Sequence, residues 1–358
     1  MALDRKTSER LSILRFPLIV GVVFIHAYSP EVTLGSGVFG VTASGPVSNF
    51  IRDFISQGVA RIAVPLFFLL SGYFFFLDNI WTFDRNRKKI ITRARTLLVP
   101  FLFWNILTLS FFFISQKVPA LHFYFPERNV PIESFSVFQF CDAIFGIYNP
   151  PVSYQFWFIR DLIMLVILTP ALYFFLDGIP TISLCGILLM WITDCVPYSM
   201  PSPTAITFFY CGAYLAKQNI NPFFLDNYSK WLLMLYPIIQ VIDACSKGWK
   251  YNDYLHNGTI ILGMTAVLAV SRILVENEKM KKKLLLLSGC SFFVFAIHEP
   301  LLMICRRAVY HALEPHSDTL IIVLYFLIPF LVIRFAMAIH AVVHEKFPKL
   351  LSFSTGGR

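Results

Sequence analysis

The sequence predicts an all-α fold, a polytopic transmembrane bundle of about ten helices. Three observations predict it. Of 358 residues 57% are hydrophobic and only 14% charged, with a mean hydropathy of +0.66. Aromatic residues make up 16%, including 38 Phe, and gather in runs such as Phe111 to Phe113 that suit contact with lipid. Apolar stretches recur at close to the roughly 20 residues that a helix needs to cross hydrocarbon. A water-soluble domain of this size lacks both that apolar share and such runs.

Taken in order, the expected spans are 11–29, 59–77, 96–115, 156–176, 179–196, 203–217, 230–245, 255–275, 284–306 and 320–344, the sixth and seventh being the shortest. The first follows a polar, basic stretch, and no small-residue cleavage site comes after it, so it is read as an uncleaved helix. Between the third and fourth, residues 116–155 hold Pro119, Pro126, Pro131, Pro150 and Pro151 around an apolar stretch, 135–148, too short to span. That segment reads as an extracytoplasmic lid or short interfacial helix. No repeat of 20 to 50 residues and no duplicated half is visible, so residues 1–358 read as a single integral membrane domain.

The formal charge of +9 invites a nucleic-acid reading. Its distribution speaks against one, because the basic residues sit in short runs beside apolar segments, where the positive-inside rule puts them. With the N-terminus in the cytoplasm, Arg85, Arg87, Lys88, Lys89, Arg93 and Arg95 fall inside, as do Lys279, Lys281, Lys282 and Lys283. The long outward segments 30–58 and 116–155 carry few cations. Lys247, Lys250, Arg306 and Arg307 run against the rule. Both termini are expected in the cytoplasm. The seven Cys show no CxxC or Cys/His ligand spacing and read as small apolar residues, with no metal site expected.

An ionisable side chain deep in a span costs about 3 kcal/mol on insertion scales unless paired or wetted, so each one poses a functional question. Arg15 and His26 are eleven positions apart, near three helical turns, which sets them on one face about 16 Å apart. The bland alternative is an Arg that snorkels to the headgroups and an interfacial His. In the expected topology Arg61 opens the second span at its outer end, Trp157, Arg160 and Asp161 open the fourth, and His298 and Glu299 lie in the outer half of the ninth. Such a set suits general-base chemistry, with a carboxylate orienting an imidazole and cations stabilising negative charge. Alternatively, Arg160 and Asp161 form a structural ion pair and His298 is a packing residue. On the inner side, Ser71, Gly72 and Tyr73 end the second span just before the basic run, where backbone approach and cations suit phosphates; helix packing and anionic lipid are the alternative.

Four pieces together resemble the acyltransferase-3 family of membrane proteins. They are Leu14-Arg15-Phe16-Pro17 running to Val23-Phe24-Ile25-His26; Arg61 through Pro65 to Ser71-Gly72-Tyr73; Phe156-Trp157-Phe158-Ile159-Arg160-Asp161-Leu162, ending in Thr169-Pro170; and Phe293 through Ala296-Ile297-His298-Glu299-Pro300-Leu301. They occur in the family's order across nearly the whole chain. Two departures stand out: Tyr154 and Gln155 occupy the place where many members have a His, and Phe295 replaces a common Tyr. No appended hydrolase-like domain is expected.

The resemblance implies an O-acyltransferase, most often O-acetyl, that moves an acyl group from cytoplasmic acyl-CoA to a hydroxyl of an extracytoplasmic glycan or lipid-linked sugar. The expected setting is a bacterial inner membrane. It implies His26 as base or transient acyl carrier and Arg15 as a CoA contact. The expected assignments are His26, His298, Arg61 and Asp161 for catalysis, Arg15, Ser71, Gly72, Tyr73 and Arg93 for the donor, and Trp157, Arg160 and Glu299 for the acceptor. Acetyl-CoA or another acyl-CoA serves as donor substrate, with no permanently bound cofactor. The rival readings are a secondary transporter or exporter of a glycan or acylated metabolite, since buried His, Arg and Asp also relay protons, and a non-catalytic sensor or scaffold.

Overall fold

A computed structural model of the chain describes residues 4–34, 37–40, 45–78, 81–119, 131–195 and 199–357. Pro126 and residue 196, the last of the fifth expected span, lie outside them. The helices are α1 Arg5–His26, α2 Pro46–Ile55, α3 Ala63–Phe76, α4 Phe83–Lys117, α5 Val137–Phe145, α6 Trp157–Ile167, α7 Thr169–Gly178, α8 Pro180–Ile192, α9 Pro203–Lys217, α10 Ser229–Cys245, α11 Asn252–Glu276, α12 Glu278–Ser288, α13 Ser291–Leu313, α14 Asp318–Lys346 and α15 Pro348–Thr355. The all-α class holds, with one small exception the apolar pattern did not announce. After α1 a hairpin forms from β1 Glu31–Leu34 and β2 Gly37–Gly40, antiparallel, with Glu31 opposite Gly40 and Leu34 opposite Gly37.

Among the described residues, four helical stretches are long and apolar enough to cross a membrane alone: Pro46–Phe76, Phe83–Lys117, Asn252–Glu276 and Asp318–Lys346. Two bent pairs, Tyr154–Ile167 with Thr169–Gly178 and Glu278–Ser288 with Ser291–Leu313, raise the number to six. Several apolar helices thus fit a multi-pass membrane protein, but the expected count of about ten is not reached by this measure. Helices α8, α9 and α10 have 13, 15 and 17 residues. At 1.5 Å per residue they fall short of roughly 30 Å of hydrocarbon. The fourth expected span breaks at Leu168, before Pro170 in the first turn of α7, where the ring has no N–H to carry the ladder on.

The chain divides into two compact units. The first comprises Met1–Val22, Asp53–Arg95 and Asp161–Ser291; the second comprises Val23–Arg52, Thr96–Arg160 and Phe292–Arg358.

In the first unit α3 and α9 pack at backbone distance. A Cβ on Gly72 would lie 2.0 Å from the Phe209 carbonyl oxygen, and one on Gly212 would lie 1.8 Å from that of Leu69. Only glycine permits so close an approach. The start of α1 is fixed by the buried Arg10, whose guanidinium donates to both carboxylate oxygens of Asp226, to Ser271 Oγ and to the Leu268 carbonyl, and lies over the Phe223 ring. At the α10 to α11 turn, buried Asp243 accepts from Asn252 Nδ2 at 3.0 Å and Lys247 Nζ at 3.1 Å, and pairs with His256 Nδ1 at 2.9 Å.

In the second unit α4 meets the C-terminal segment. The Trp104 indole donates to the Ser354 carbonyl at 2.9 Å, and Gly356, at φ 71°, would clash with the Thr96 carbonyl if it carried a Cβ. The short helix expected in 116–155 is α5. Ser136 and Gln139 make a reciprocal capping box at its start, and Gly146 closes it in the left-handed region.

Candidate active site

The second unit brings together three of the sequence-selected residues: His26, His298 and Glu299. His26 ends α1, and its ring centroid lies 5.3 Å from that of His298 and 5.1 Å from that of Tyr154. His26 Nδ1 stands 3.8 Å from Glu299 Oε1, and the Tyr154 hydroxyl hydrogen-bonds the same carboxylate. His298 is wholly buried, and Glu299 nearly so.

The local sequence of α13 explains how these groups are aimed. His298 Nδ1 donates to the Phe295 carbonyl at 2.6 Å. A carbonyl only accepts, so Nδ1 carries the proton, and in the neutral ring Nε2 keeps its lone pair. That Nε2 is buried with no hydrogen-bond partner among the described residues. Pro300 lies inside the helix and has no N–H, which releases the carbonyl four residues earlier, that of Ala296, from the helical ladder. Gln155 Nε2 donates to that carbonyl at 3.1 Å. The turn after His26 is fixed by Arg306, also on α13, which donates to the carbonyls of Ser29 at 2.6 Å and Glu31 at 3.0 Å.

Beside Glu299 opens a cavity of about 260 Å³. From α4, Thr108, Leu109, Phe112, Ser115 and Gln116 line it, a spacing that follows one helical face; from α13, Glu299, Pro300, Met303 and Arg307 do the same. Ile132, Phe135, Tyr154 and Gln155 complete much of the rest.

The other selected residues have these surroundings. In the second unit, Trp157 is half-buried at the start of α6, and Arg160 donates from Nη1 to the Gly146 carbonyl at 2.7 Å, tying α6 to the turn that closes α5. In the first unit, Asp161 accepts from the Ser202 backbone N–H at 2.8 Å, at the N-cap of α9. Arg61 donates twice to Gln57 Oε1, at 2.9 and 2.6 Å. Ser71 Oγ donates to the Phe67 carbonyl at 2.7 Å, Gly72 serves the contact with α9, and Tyr73 is buried with its ring 6.1 Å from that of Phe74. Arg15 and Arg93 are exposed on α1 and α4.

Two groups near the histidines were not selected from the sequence as site residues. Gln155 had a signal, since it stands beside Tyr154 where a family His is common. Arg306 also had one: it runs against the positive-inside rule in the expected topology, and its guanidinium bonds the carbonyls of the turn after His26.

Against known proteins, the family model described as "Acyltransferase domain" matches residues 9–339. The chain is similar to the succinoglycan biosynthesis protein ExoH of Rhizobium meliloti (strain 1021), at 29% identity over 370 residues that cover 99% of this chain and 94% of that protein. No solved structure matches.

Proposed function

The chain belongs to the acyltransferase-3 family, and from that premise we propose that it transfers an acyl group, of the acetyl class, from cytoplasmic acyl-CoA to a hydroxyl of an extracytoplasmic glycan. The observation that carries the reading is the cluster of His26, His298 and Glu299, two imidazoles and a carboxylate within one unit of an acyltransferase. Similarity to ExoH, a succinoglycan biosynthesis protein, supports a polysaccharide or its lipid-linked precursor as acceptor.

In the proposed reaction His26 is the base, and Glu299 orients its ring by closing the 3.8 Å separation to a hydrogen bond when substrate binds. The acceptor hydroxyl gives its proton to His26 while its oxygen attacks the thioester carbonyl. The resulting oxyanion collapses, the C–S bond breaks, and the CoA thiolate leaves and takes up the proton, giving an ester and free CoA. His298 Nε2, with its tautomer set by Phe295, is a second acceptor for that proton. Arg61, Asp161, Trp157 and Arg160 are assigned to charge stabilisation and acceptor contacts. Arg15, Ser71, Gly72, Tyr73 and Arg93 are assigned to the donor, whose pantetheine arm is of the same order of length as the 16 Å or so that separates Arg15 from His26 along α1. Both termini are assigned to the cytoplasm, with 116–155 outside, in a bacterial inner membrane.

The test is incubation of the purified protein with radiolabelled acetyl-CoA, with and without an extracted glycan pool. Label is expected to enter the glycan with matching release of CoA, and His26→Ala is expected to abolish both. Release that continues undiminished in that variant refutes the role of His26. Transport of the glycan without label transfer favours the exporter reading instead.

A further inference from the structure

The cavity beside Glu299 has a two-sided lining that the acyl-transfer reading does not by itself explain. One side is apolar and partly aromatic, built by Leu109, Phe112 and Phe135. The polar part of the lining comes from Glu299, Tyr154, Gln155 and Arg307, with Ser115 and Gln116 of α4. Gln155 is buried, and its orientation is imposed from the far side. Its Nε2 is committed to the Ala296 carbonyl that Pro300 frees, so its Oε1 is left as an acceptor, and that atom is buried with no partner among the described residues. A buried acceptor without a donor is destabilising, and an occupant with a donor relieves it.

We propose that this cavity seats a single pyranose ring of the acceptor, its C–H face against Phe112 and Phe135 and its hydroxyl edge toward Glu299, with Gln155 Oε1 accepting a hydrogen bond from a ring hydroxyl. The chemistry selects the occupant. The polar lining offers acceptors, from Glu299 and Gln155, and donors, from Arg307, Ser115 and Gln116, so the ligand must both donate and accept, as a sugar hydroxyl does and an acyl chain does not. The apolar side is met by a sugar's C–H face and not by a fully hydrated ion. The volume agrees: about 260 Å³ is larger than the roughly 150 Å³ of an apolar cavity that takes benzene, so a six-membered ring fits. A hydroxyl on that ring then lies beside the carboxylate that His26 faces.

The proposal rests on the acyl-transfer reading for its meaning, but its test needs no turnover. Saturation-transfer NMR on the full chain in nanodiscs, with methyl α-D-glucopyranoside and methyl α-D-mannopyranoside as probes and no donor present, reads binding alone. A failed transfer assay leaves this readout intact, and a failed binding experiment leaves the transfer reading intact. The wild type is expected to transfer saturation to the ring protons of at least one probe. Gln155→Met, close in volume but without the acceptor oxygen and without the Nε2 donor to the Ala296 carbonyl, is expected to weaken binding about tenfold. Leu109→Trp is a second, independent variant: it fills the cavity from the apolar side and is expected to exclude the ring while still admitting glycerol. Unchanged melting of each variant keeps misfolding out of the comparison. Absence of saturation transfer in the wild type, or equal transfer in wild type and both variants, overturns the proposal.

Discussion

Arg15 and His26 share α1, but their surroundings differ in kind. His26 is partly buried among Glu299, His298 and Tyr154, whereas Arg15 is exposed. A guanidinium on an exposed residue suits contact with a polyphosphate. Arg15→Ala is therefore expected to weaken acyl-CoA binding about tenfold in calorimetry, with the melting temperature unchanged. Unaltered affinity removes Arg15 from the donor's phosphates. Gly72 carries a different lesson. Its spacing suggested a donor contact or a packing residue, and the 2.0 Å that a Cβ would leave to the Phe209 carbonyl is sufficient reason for glycine there.

Among the elements, α5 and the turn after it are closely specified by side-chain hydrogen bonds. Asp142 at the end of α5 accepts from the Tyr148 backbone N–H at 2.6 Å and from Asn149 Nδ2 at 2.7 Å. Burial alone would raise its pKa, but these donors outweigh burial and hold the carboxyl below its usual range. A folded-state pKa that is depressed contributes stability in full above the unfolded value, about 3.9 for Asp, and that stability is lost as pH falls through the folded pKa. Protection from hydrogen exchange over 137–149, taken relative to the intrinsic rate at each pH, is thus expected to be high at pH 6 and to fall as pH drops below the ordinary Asp range. Asp142→Asn should make exchange faster at pH 6 and flatten that pH response. A wild-type profile with no acid response assigns the turn's order to the capping box and Gly146 instead. The element reading from sequence located this helix because its apolar stretch was too short to span. It could not foresee the tie from Arg160 to Gly146, which depends on residues 14 positions apart meeting in space.

At the scale of the molecule, orientation in the membrane follows from the charges flanking the spans. Alkaline phosphatase needs the disulfides of an oxidising compartment, so a fusion after Tyr148 is expected to be active and one after Arg87 inactive. The reverse pattern inverts the topology and with it the sidedness of donor and acceptor. The cations that break the positive-inside rule are themselves informative. Lys247 bonds Asp243 and Asn252, and Arg306 bonds the carbonyls of Ser29 and Glu31. Each has a local partner that offsets its place outside the general charge bias.

The sequence by itself determined the family, the all-α architecture and the apolar character that fits a membrane; that His26, His298 and Glu299, of the residues selected, are the ones that meet was decided by the tertiary structure. Apolar length, charge asymmetry and motif order are one-dimensional properties, and they survive without knowledge of packing. It did not determine how many stretches would hold as full spans, because the breaks at Leu168 and the shortness of α8 to α10 depend on how helices end against their neighbours. Nor did it determine the tautomer of His298, the orientation of Gln155 or the cavity between α4 and α13. Those depend on which carbonyl each side chain meets, and the release of Ala296 by Pro300 becomes a binding feature only once α13 and residues 154–156 are packed together.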